Sequence, residues 1–498
     1  MDSILGLNHR TLDRARISRD PRFDGKFFIA VTSTGIYCRP ICPSPTSKSA
    51  NVRYYPTAAA AAEAGFRPCL RCRPEAAPGT PAWMGTSAVV RRALKLIEDG
   101  MLDEQSVDGL AARLGIGSRH LHRLFIRHVG ASPMAVAQTR RLDFAKRLLD
   151  ETNLPITEIA LASGFGSVRR FNSSFLQTYQ RSPRVLRSQR CGGLAVGDGP
   201  DLVLRLAYRP PYDWKFVCCF LGARAIPGVE LVDSRAGEYA RTVEVGGTPA
   251  VIRVRALGSK NALELRVRGA AASGLFQLSV AARRVFDIAA DPERIARAFK
   301  SDPLLSPLVK QRPGLRVPGV WDPFECAVRA MLDQQISVTA ASTPATRLVR
   351  RIGRPLCGDA SDGLTHLFPG PEAIASADLS GLGLTKSRQT ALQALARAVF
   401  DGELDFGAPI EDVIASLNSL PGLGPETAEY VALRSLGEPD AFPAADIVLR
   451  RIAASTATPL ATQVLEQRAE AWRPFRSYAA LHLWLAASSA TLIPADNS

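Results

Sequence analysis

Two short cysteine hooks, Cys38-x3-Cys42 and Cys69-x2-Cys72, constrain the first 80 residues more than any other feature of the chain. A soft dication such as Zn2+ takes four thiolates at tetrahedral corners, and two hooks in turn-like sequence can supply them. The hooks lie in YCRPIC and RPCLRCRPE, where Pro and Arg interrupt any helix. Two disulfides are the competing use of the same thiols. No apolar run reaches membrane-spanning length, and MDSILGLNHR lacks a signal-peptide core. A reducing, cytoplasmic location without membrane association is therefore expected, and with it one zinc ion on four cysteines. Cys191, Cys218, Cys219, Cys326 and Cys357 show no hook spacing and are expected to be buried thiols.

At 498 residues the chain exceeds a single core, so three or four domains are expected. Charge is unevenly spread. Residues 1–190 carry 29 Lys and Arg against 15 Asp and Glu, whereas residues 191–498 carry 33 against 32. A net +14 in front and +1 behind points the front half at a polyanion, with DNA the leading candidate. Pro, Gly and Ala-rich EAAPGTPAWMGT (75–86) and glycine-rich CGGLAVGDGP (191–200) read as linkers. Beyond the second, residues 203–209, 242–246, 250–257 and 262–269 alternate as strands, and from about Asp291 the pattern turns helical.

Between the linkers, residues 106–130 and 155–180 share one design: a helix, a glycine-containing turn, and a second helix begun by Ser118 or Ser167 as N-cap. A helix-turn-helix lays its second helix in the major groove. Arg119, His120, His122 and Arg123 are the exposed candidates in the first copy, and Arg169, Arg170 and Asn172 in the second. Arg and Asn suit guanine and adenine edges. The tandem arrangement, with GFGS, Phe171-x3-Phe175 and SPRVLR (182–187), resembles AraC-type regulator domains over about one hundred residues.

Beside such a module, STGIYCRPIC (33–42), ANVRYY (50–55) and GFRPCLRCRPE (65–75) resemble the Ada-type zinc domain. The resemblance implies that a zinc-bound thiolate accepts a methyl group from a DNA methylphosphotriester. By the family's motif the acceptor is Cys38. Zinc keeps thiols deprotonated, and methylating one of four thiolates moves the formal site charge from −2 to −1, which favours phosphate contacts. The Pro-Cys-His-Arg signature of the second Ada acceptor domain does not occur, so direct O6-methylguanine repair is not expected.

In the second half, SLPGLGPETAEYVAL (419–433) has the form of a helix-hairpin-helix, in which Gly422 and Gly424 let backbone N–H groups grip a phosphate. Twenty residues past Glu426 stands Asp446, which alone would read as a helix N-cap. Hairpin, spacing and Asp together resemble the helix-hairpin-helix DNA glycosylases. Residues 209–230, 320–338 and 472–484 narrow this to the AlkA-type 3-methyladenine DNA glycosylases. The resemblance implies that Asp446 is the catalytic carboxylate and that Tyr430, Trp484 and Phe220 form the base pocket. It places Gln334 and Gln335 at the gap left by a flipped base. Glu426 departs from the pattern: lyase-type relatives carry a Schiff-base Lys there and the AlkA type an aromatic. The expected enzyme is therefore a monofunctional glycosylase.

The expected architecture is multidomain, mainly α with a smaller α+β part. It comprises a four-cysteine zinc module (1–80), a tandem helix-turn-helix module (85–190), a small antiparallel-sheet α+β domain (200–312) and a helix-hairpin-helix glycosylase domain (313–498). Double-stranded DNA, damaged and operator, is the expected partner, RNA polymerase a candidate one, and the chain is expected to be a monomer. A non-enzymatic regulator, and a glycosylase whose zinc is purely structural, are the competing readings.

Overall fold

A computed structural model describes residues 3–4, 7–77, 88–189, 201–333, 338–356, 363–454 and 458–491. The chain divides into two compact units. One is Met1–Pro210 with Glu244–Arg283 and Ile288–Ala290, and the other is Pro211–Val243 with Arg284–Asp287 and Asp291–Ser498. Among the described residues no helix is long and apolar enough to cross a membrane.

The first unit opens on a four-stranded sheet in the order Val52–Tyr55, Phe28–Val31, Ile36–Cys38, Arg67–Pro68. Its last pair is parallel, with Ile36 opposite Arg67 and Tyr37 opposite Pro68. That register carries Cys38 and Cys69 off the ends of neighbouring strands, and the Cys69 N–H donates to the Tyr37 carbonyl at 2.9 Å. Two hooks 26 residues apart in sequence meet because a parallel strand pair delivers them side by side.

The helices that follow form the two expected helix-turn-helix copies. Val107–Arg113 leads to Ser118–His128, and Ile156–Ala162 leads to Val168–Tyr179. Gly164 turns the second copy at φ +81°, where a Cβ would lie 2.6 Å from an Asp103 carboxylate oxygen, so no side chain fits. Leu121, Phe125, Phe171 and Phe175 are fully buried and hold each second helix by one face. Ser167 caps its helix, accepting the Arg170 N–H at 3.2 Å. Ser118 does not cap: Gly117 occupies the cap position, and Ser118 is already the first helical residue.

The zinc module is docked on these helices by polar contacts. The Ser132 hydroxyl and N–H donate to Glu63 at 3.0 Å each, and Arg73 pairs with Asp150 at 2.8 Å. Of the strands of the expected third module, Ala262–Arg268 pairs antiparallel with Leu202–Ala207 and Thr248–Leu257 in the first unit, and Glu230–Asp233 pairs antiparallel with Glu238–Val245 in the second. The alternation read from sequence is the core-facing register along Leu202–Ala207 and Thr248–Leu257, where Leu204, Leu206, Ala250, Ile252 and Val254 are buried, whereas Glu238–Val245 and Ala262–Arg268 are buried along most of their length.

The second unit is helical around a core that includes Phe324, Val328, Leu348, Leu395 and Val431. Ile410–Ser419 and Pro425–Ser435 are the two arms of the hairpin motif. Gly422 turns between them at φ +77°, with Ala391 Cβ only 3.0 Å from where its own Cβ would be. Burial also draws in ions: Arg241 reaches Glu325 at 2.8 Å and Glu230 at 3.5 Å, and Arg329 reaches Glu325 at 3.1 Å. Cys218 and Cys326 are buried, but Cys219 is exposed, contrary to expectation, since its neighbour Cys218 takes the core-facing side of Trp214–Gly222. Cys191 and Cys357 lie outside the described residues.

Removing one member of a buried ion network strands the others. Glu325→Ala is expected to destabilise the second unit by about 3–5 kcal/mol. Loss of amide-exchange protection along Pro323–Asp333 in the full chain would measure it.

Candidate metal centre and base-excision site

The ligand atoms of Cys38, Cys42, Cys69 and Cys72 all lie within 4.8 Å of one another. Zn–S bonds of about 2.3 Å put tetrahedral sulfurs about 3.8 Å apart, so the donor set fits one zinc ion. Mutual hydrogen bonding among the sulfurs, led for Cys42 and Cys69 by Cys38, pushes those two thiols down, Cys69 to about 6. The same sharing, led by Cys42, pushes Cys38 up. Cys72 is likewise pushed up, led by Cys38, so the cluster divides into two lowered and two raised thiols, and a bound dication would take all four as thiolates.

The surroundings fix the site. The Arg39 N–H donates to Cys72 Sγ at 3.3 Å, and its guanidinium donates to the Cys72 carbonyl at 3.1 Å. That guanidinium is buried and makes a two-point pair with Asp24, including Nε to Oδ1 at 2.8 Å. The Asp24 carbonyl in turn accepts from Arg209 Nε at 3.0 Å. Asp24 and Arg209 drew no attention in the sequence, because neither lies near a hook. Cys69 and Cys72 are buried, while Cys38 and Cys42 are partly exposed. A cleft of about 300 Å3 opens on Cys38 and is lined by Arg16, Arg19, Thr34, Arg39 and Arg71 among others. A partly exposed sulfur faces a cleft that carries basic and hydroxyl side chains.

In the helical module, Arg119, His120, His122, Arg123, Arg169, Arg170 and Asn172 are all exposed. Arg123 Nη2 lies 2.9 Å from His120 Nδ1, so those two side chains are already engaged with each other.

In the second unit, Asp446 is half-buried at the head of Ile447–Ile452 and its Oδ1 accepts the Leu449 N–H at 2.8 Å. It is an N-cap, and the cap bond fixes its carboxylate. Tyr430 and Trp484 meet edge to face with centroids 6.4 Å apart. Tyr430 is itself held: Arg434 Nη1 donates to its hydroxyl at 2.7 Å, while Arg434 Nε and Nη2 donate to the Pro318 and Gly319 carbonyls at 2.5 and 3.2 Å. Arg434 was missed in the sequence, since an arginine four residues past a tyrosine reads as a solvated helix face. Phe220 lies against the same Arg434 guanidinium that holds Tyr430. The guanidinium carbons of Arg224 and Arg434 stand 3.9 and 4.7 Å from its ring centroid, so cations already occupy its π surface. Gly424 is the N-cap of the hairpin's second helix. Gln334 and Gln335 lie outside the described residues.

Comparison with known proteins agrees with this layout. Family models match residues 11–75 (metal binding domain of Ada), 110–189 (helix-turn-helix domain), 203–322 (AlkA N-terminal domain) and 328–474 (HhH-GPD superfamily base excision DNA repair protein). A protein of Mycobacterium tuberculosis named probable bifunctional transcriptional activator/DNA repair enzyme AlkA is 42% identical over 95% of this chain and 95% of its own length. The chain belongs to this family of fused activator and DNA repair proteins. Two Escherichia coli proteins match its halves. DNA-3-methyladenine glycosylase 2 is 33% identical over 56% of this chain and 95% of its own length. The bifunctional activator/repair enzyme Ada is 37% identical over 30% of this chain and 40% of its own length. Among solved structures, a 3-methyladenine DNA glycosylase of Archaeoglobus fulgidus superposes with a TM-score of 0.51 at 22% identity, covering 58% of this chain and 99% of its own, and shows the shared fold. Family members of this kind bind DNA, hold one Zn2+ on the four cysteines and carry a DNA glycosylase domain.

Residues that hold a metal's ligands cost about 10–100-fold in affinity when lost. Asp24→Asn should therefore weaken zinc binding by that range, read by competition with a chromogenic chelator. The parent should bind one zinc per chain.

Proposed function

We propose that the chain couples two reactions on alkylated DNA: single-turnover methyl uptake by Cys38 and hydrolytic release of alkylated purines at Asp446. The observation that carries the second is the convergence, in one unit, of a hairpin phosphate grip, a capped Asp446 and the Tyr430–Trp484 pair. The Glu426 side chain cannot form a Schiff base, which supports a monofunctional enzyme with water as the nucleophile.

In the front module, zinc bound by Cys38, Cys42, Cys69 and Cys72 would keep the sulfurs as thiolates. Cys38 and Cys42 are both partly exposed and both line the basic cleft, and the family's motif assigns the acceptor role to Cys38. Its Sγ forms a bond to the methyl carbon of a phosphotriester, the C–O bond breaks, and the electron pair stays on the phosphate oxygen as a diester anion. Arg19 and Arg71 receive that anion in the cleft, while Arg16 is held by Asp13. The lost negative charge at the cluster then favours phosphate binding by the adjoining helix-turn-helix pair, which reads the operator through Arg119, Arg123, Arg169, Arg170 and Asn172.

In the second unit, the flipped purine stacks on Tyr430 and Trp484. A purine alkylated at N3 or N7 is cationic and already a good leaving group. Asp446 faces the positive charge that develops on the sugar as the N-glycosidic bond breaks, with the bond pair leaving on the base. Water then adds at C1′ and gives up a proton. The proposed module limits remain 1–80, 85–190, 200–312 and 313–498. RNA polymerase as a partner, a monomeric state and a cytoplasmic location belong to the same proposal.

Duplex DNA carrying radiolabelled methyl groups reports both reactions in one tube. Cys38→Ala should abolish covalent label on the protein and spare base release. Asp446→Asn should lower release at least a hundredfold and spare both DNA binding and label uptake. Protein label persisting in the first variant, or release persisting in the second, would overturn that assignment.

A further inference from the structure

The cleft at Cys38 has a floor that the sheet fixes and a wall that it does not. Tyr54 stands opposite Ile29, and Ile29 opposite Cys38, so the three form one row across three strands. Cross-strand neighbours share a face, so Ile29, part of the cleft lining, lies between Tyr54 and the Cys38 sulfur. The wall is the run Ser44, Pro45, Thr46 and Ser47, all of which line the cleft. Residues 43–48 form neither helix nor strand, so side chains must place them.

Arg16 does so. It is buried on the helix His9–Ser18 and binds in two directions. Toward the sheet, its Nε donates to the Tyr54 hydroxyl at 3.2 Å and to Asp13 at 3.1 Å, and the Tyr54 hydroxyl donates to Asp13 at 2.5 Å. Toward the wall, its Nη1 donates to the Ser47 carbonyl at 2.8 Å and its Nη2 to the Ser49 hydroxyl at 3.1 Å. Three residues on, Arg19 Nη2 donates to the Ser44 carbonyl at 3.1 Å. One helical turn thus ties the wall at both ends, and Arg16 refers it to the row that contains Cys38. The Asp13 pair alone neutralises Arg16; the bonds to Ser47 and Ser49 go further and fix the wall.

We infer that Arg16 is a positioning residue for methyl transfer, holding the wall where it brings a phosphotriester methyl to the Cys38 sulfur in line with the breaking C–O bond. This rests on the proposed methyl uptake by Cys38. Displacement at carbon needs sulfur, methyl carbon and leaving oxygen aligned, with the reacting atoms about 3–3.5 Å apart. The four-cysteine cluster fixes the sulfur, and the wall limits where the DNA phosphate comes to rest. Displacing a reacting group by about 1 Å costs on the order of a hundredfold. A small free methyl donor needs no wall, because it reaches the sulfur by any open approach. Arg16 itself touches no reacting atom.

The test compares two radiolabelled methyl donors on the zinc-loaded, full-length protein. One is duplex DNA carrying methylphosphotriesters. The other is methyl iodide, whose C–I bond breaks as the S–C bond forms and whose iodide leaves with the electron pair. Label is counted at Cys38 by peptide mapping, since the exposed Cys219 also takes methyl from iodide. Arg16→Met should lower the single-turnover rate constant at saturating DNA about tenfold to a hundredfold. The iodide rate, zinc content and thermal melting should stay at the parent's values. Arg16→Lys, which keeps the Asp13 pair but cannot hold Ser47 and Ser49 together, should fall between. A DNA rate constant within twofold of the parent in Arg16→Met would overturn the inference and leave methyl uptake by Cys38 standing. Equal losses with both donors in Arg16→Met and Arg16→Lys would make the arginine a structural support only, and overturn it too. Uptake from iodide but not from DNA in the parent would instead overturn the methyl-acceptor reading on which the inference stands.

Discussion

The buried Arg39–Asp24 pair is the constraint around which the zinc-bearing unit is organised. Neither ion is in water, so each is tolerable only while the other stays in place. Arg39 spends its remaining donors on Cys72, through the backbone N–H to the sulfur and the guanidinium to the carbonyl. Asp24 gives its carbonyl to Arg209, itself fully buried and also bonded to the Ala289 carbonyl at 2.7 Å. The two hooks, the Asp24 segment and two segments matched by the AlkA N-terminal family are thus tied at one node. A buried pair of this kind contributes little net stability, but it penalises every alternative placement of these segments. Its role is to specify one arrangement of sulfurs, and selective chemistry at one of four similar thiols needs such an arrangement.

In the proposed reaction, the Asp446 side chain serves fold and chemistry together. An N-cap aspartate holds its carboxylate in a fixed rotamer, because the Leu449 N–H engages Oδ1. A catalytic carboxylate needs that same fixity, since an ion facing a developing oxocarbenium must not have to reorganise. Cap and catalyst are therefore compatible readings of a single residue. The tyrosine is treated likewise: Arg434 clamps its hydroxyl, so the ring edge toward Trp484 is set by a buried cation bonded to the backbone.

Much of this was legible in the sequence because the signals are local or strongly spaced. The cysteine hooks, the two Gly-turn helix pairs and the Leu-Pro-Gly-x-Gly hairpin each encode a turn that few residues can make. Alternation gave the strands around Val203, Ile252 and Leu265. What was not legible depends on contacts between distant segments. The parallel pairing of Ile36–Tyr37 with Arg67–Pro68 leaves no trace in either strand's pattern, since both are too short for a period. Asp24, Arg209 and Arg434 look like surface ions until their buried partners are known. The cations about Phe220 were equally illegible: Arg224 and Arg434 lie over its ring, and the sequence names neither as its partner. Ser118 failed as a cap by one residue, which is the usual uncertainty of a helix end.

The charge asymmetry of the chain follows from the opposite electrostatics of the two proposed reactions. Four thiolates on a dication carry a formal −2, so an ordinary phosphate anion is repelled, while a methylated, neutral phosphate is not. The arginines around the Cys38 cleft then serve to receive the anion that demethylation creates and to hold the DNA on either side. A front half with a net +14 suits that task. The second unit meets a substrate that is itself cationic at the base, and an equally basic surface there would oppose it. Its hairpin is proposed to grip the backbone through N–H groups that carry no net charge. A near-neutral second half, with Asp446 as the carboxylate of the proposed excision, is what that division of labour requires.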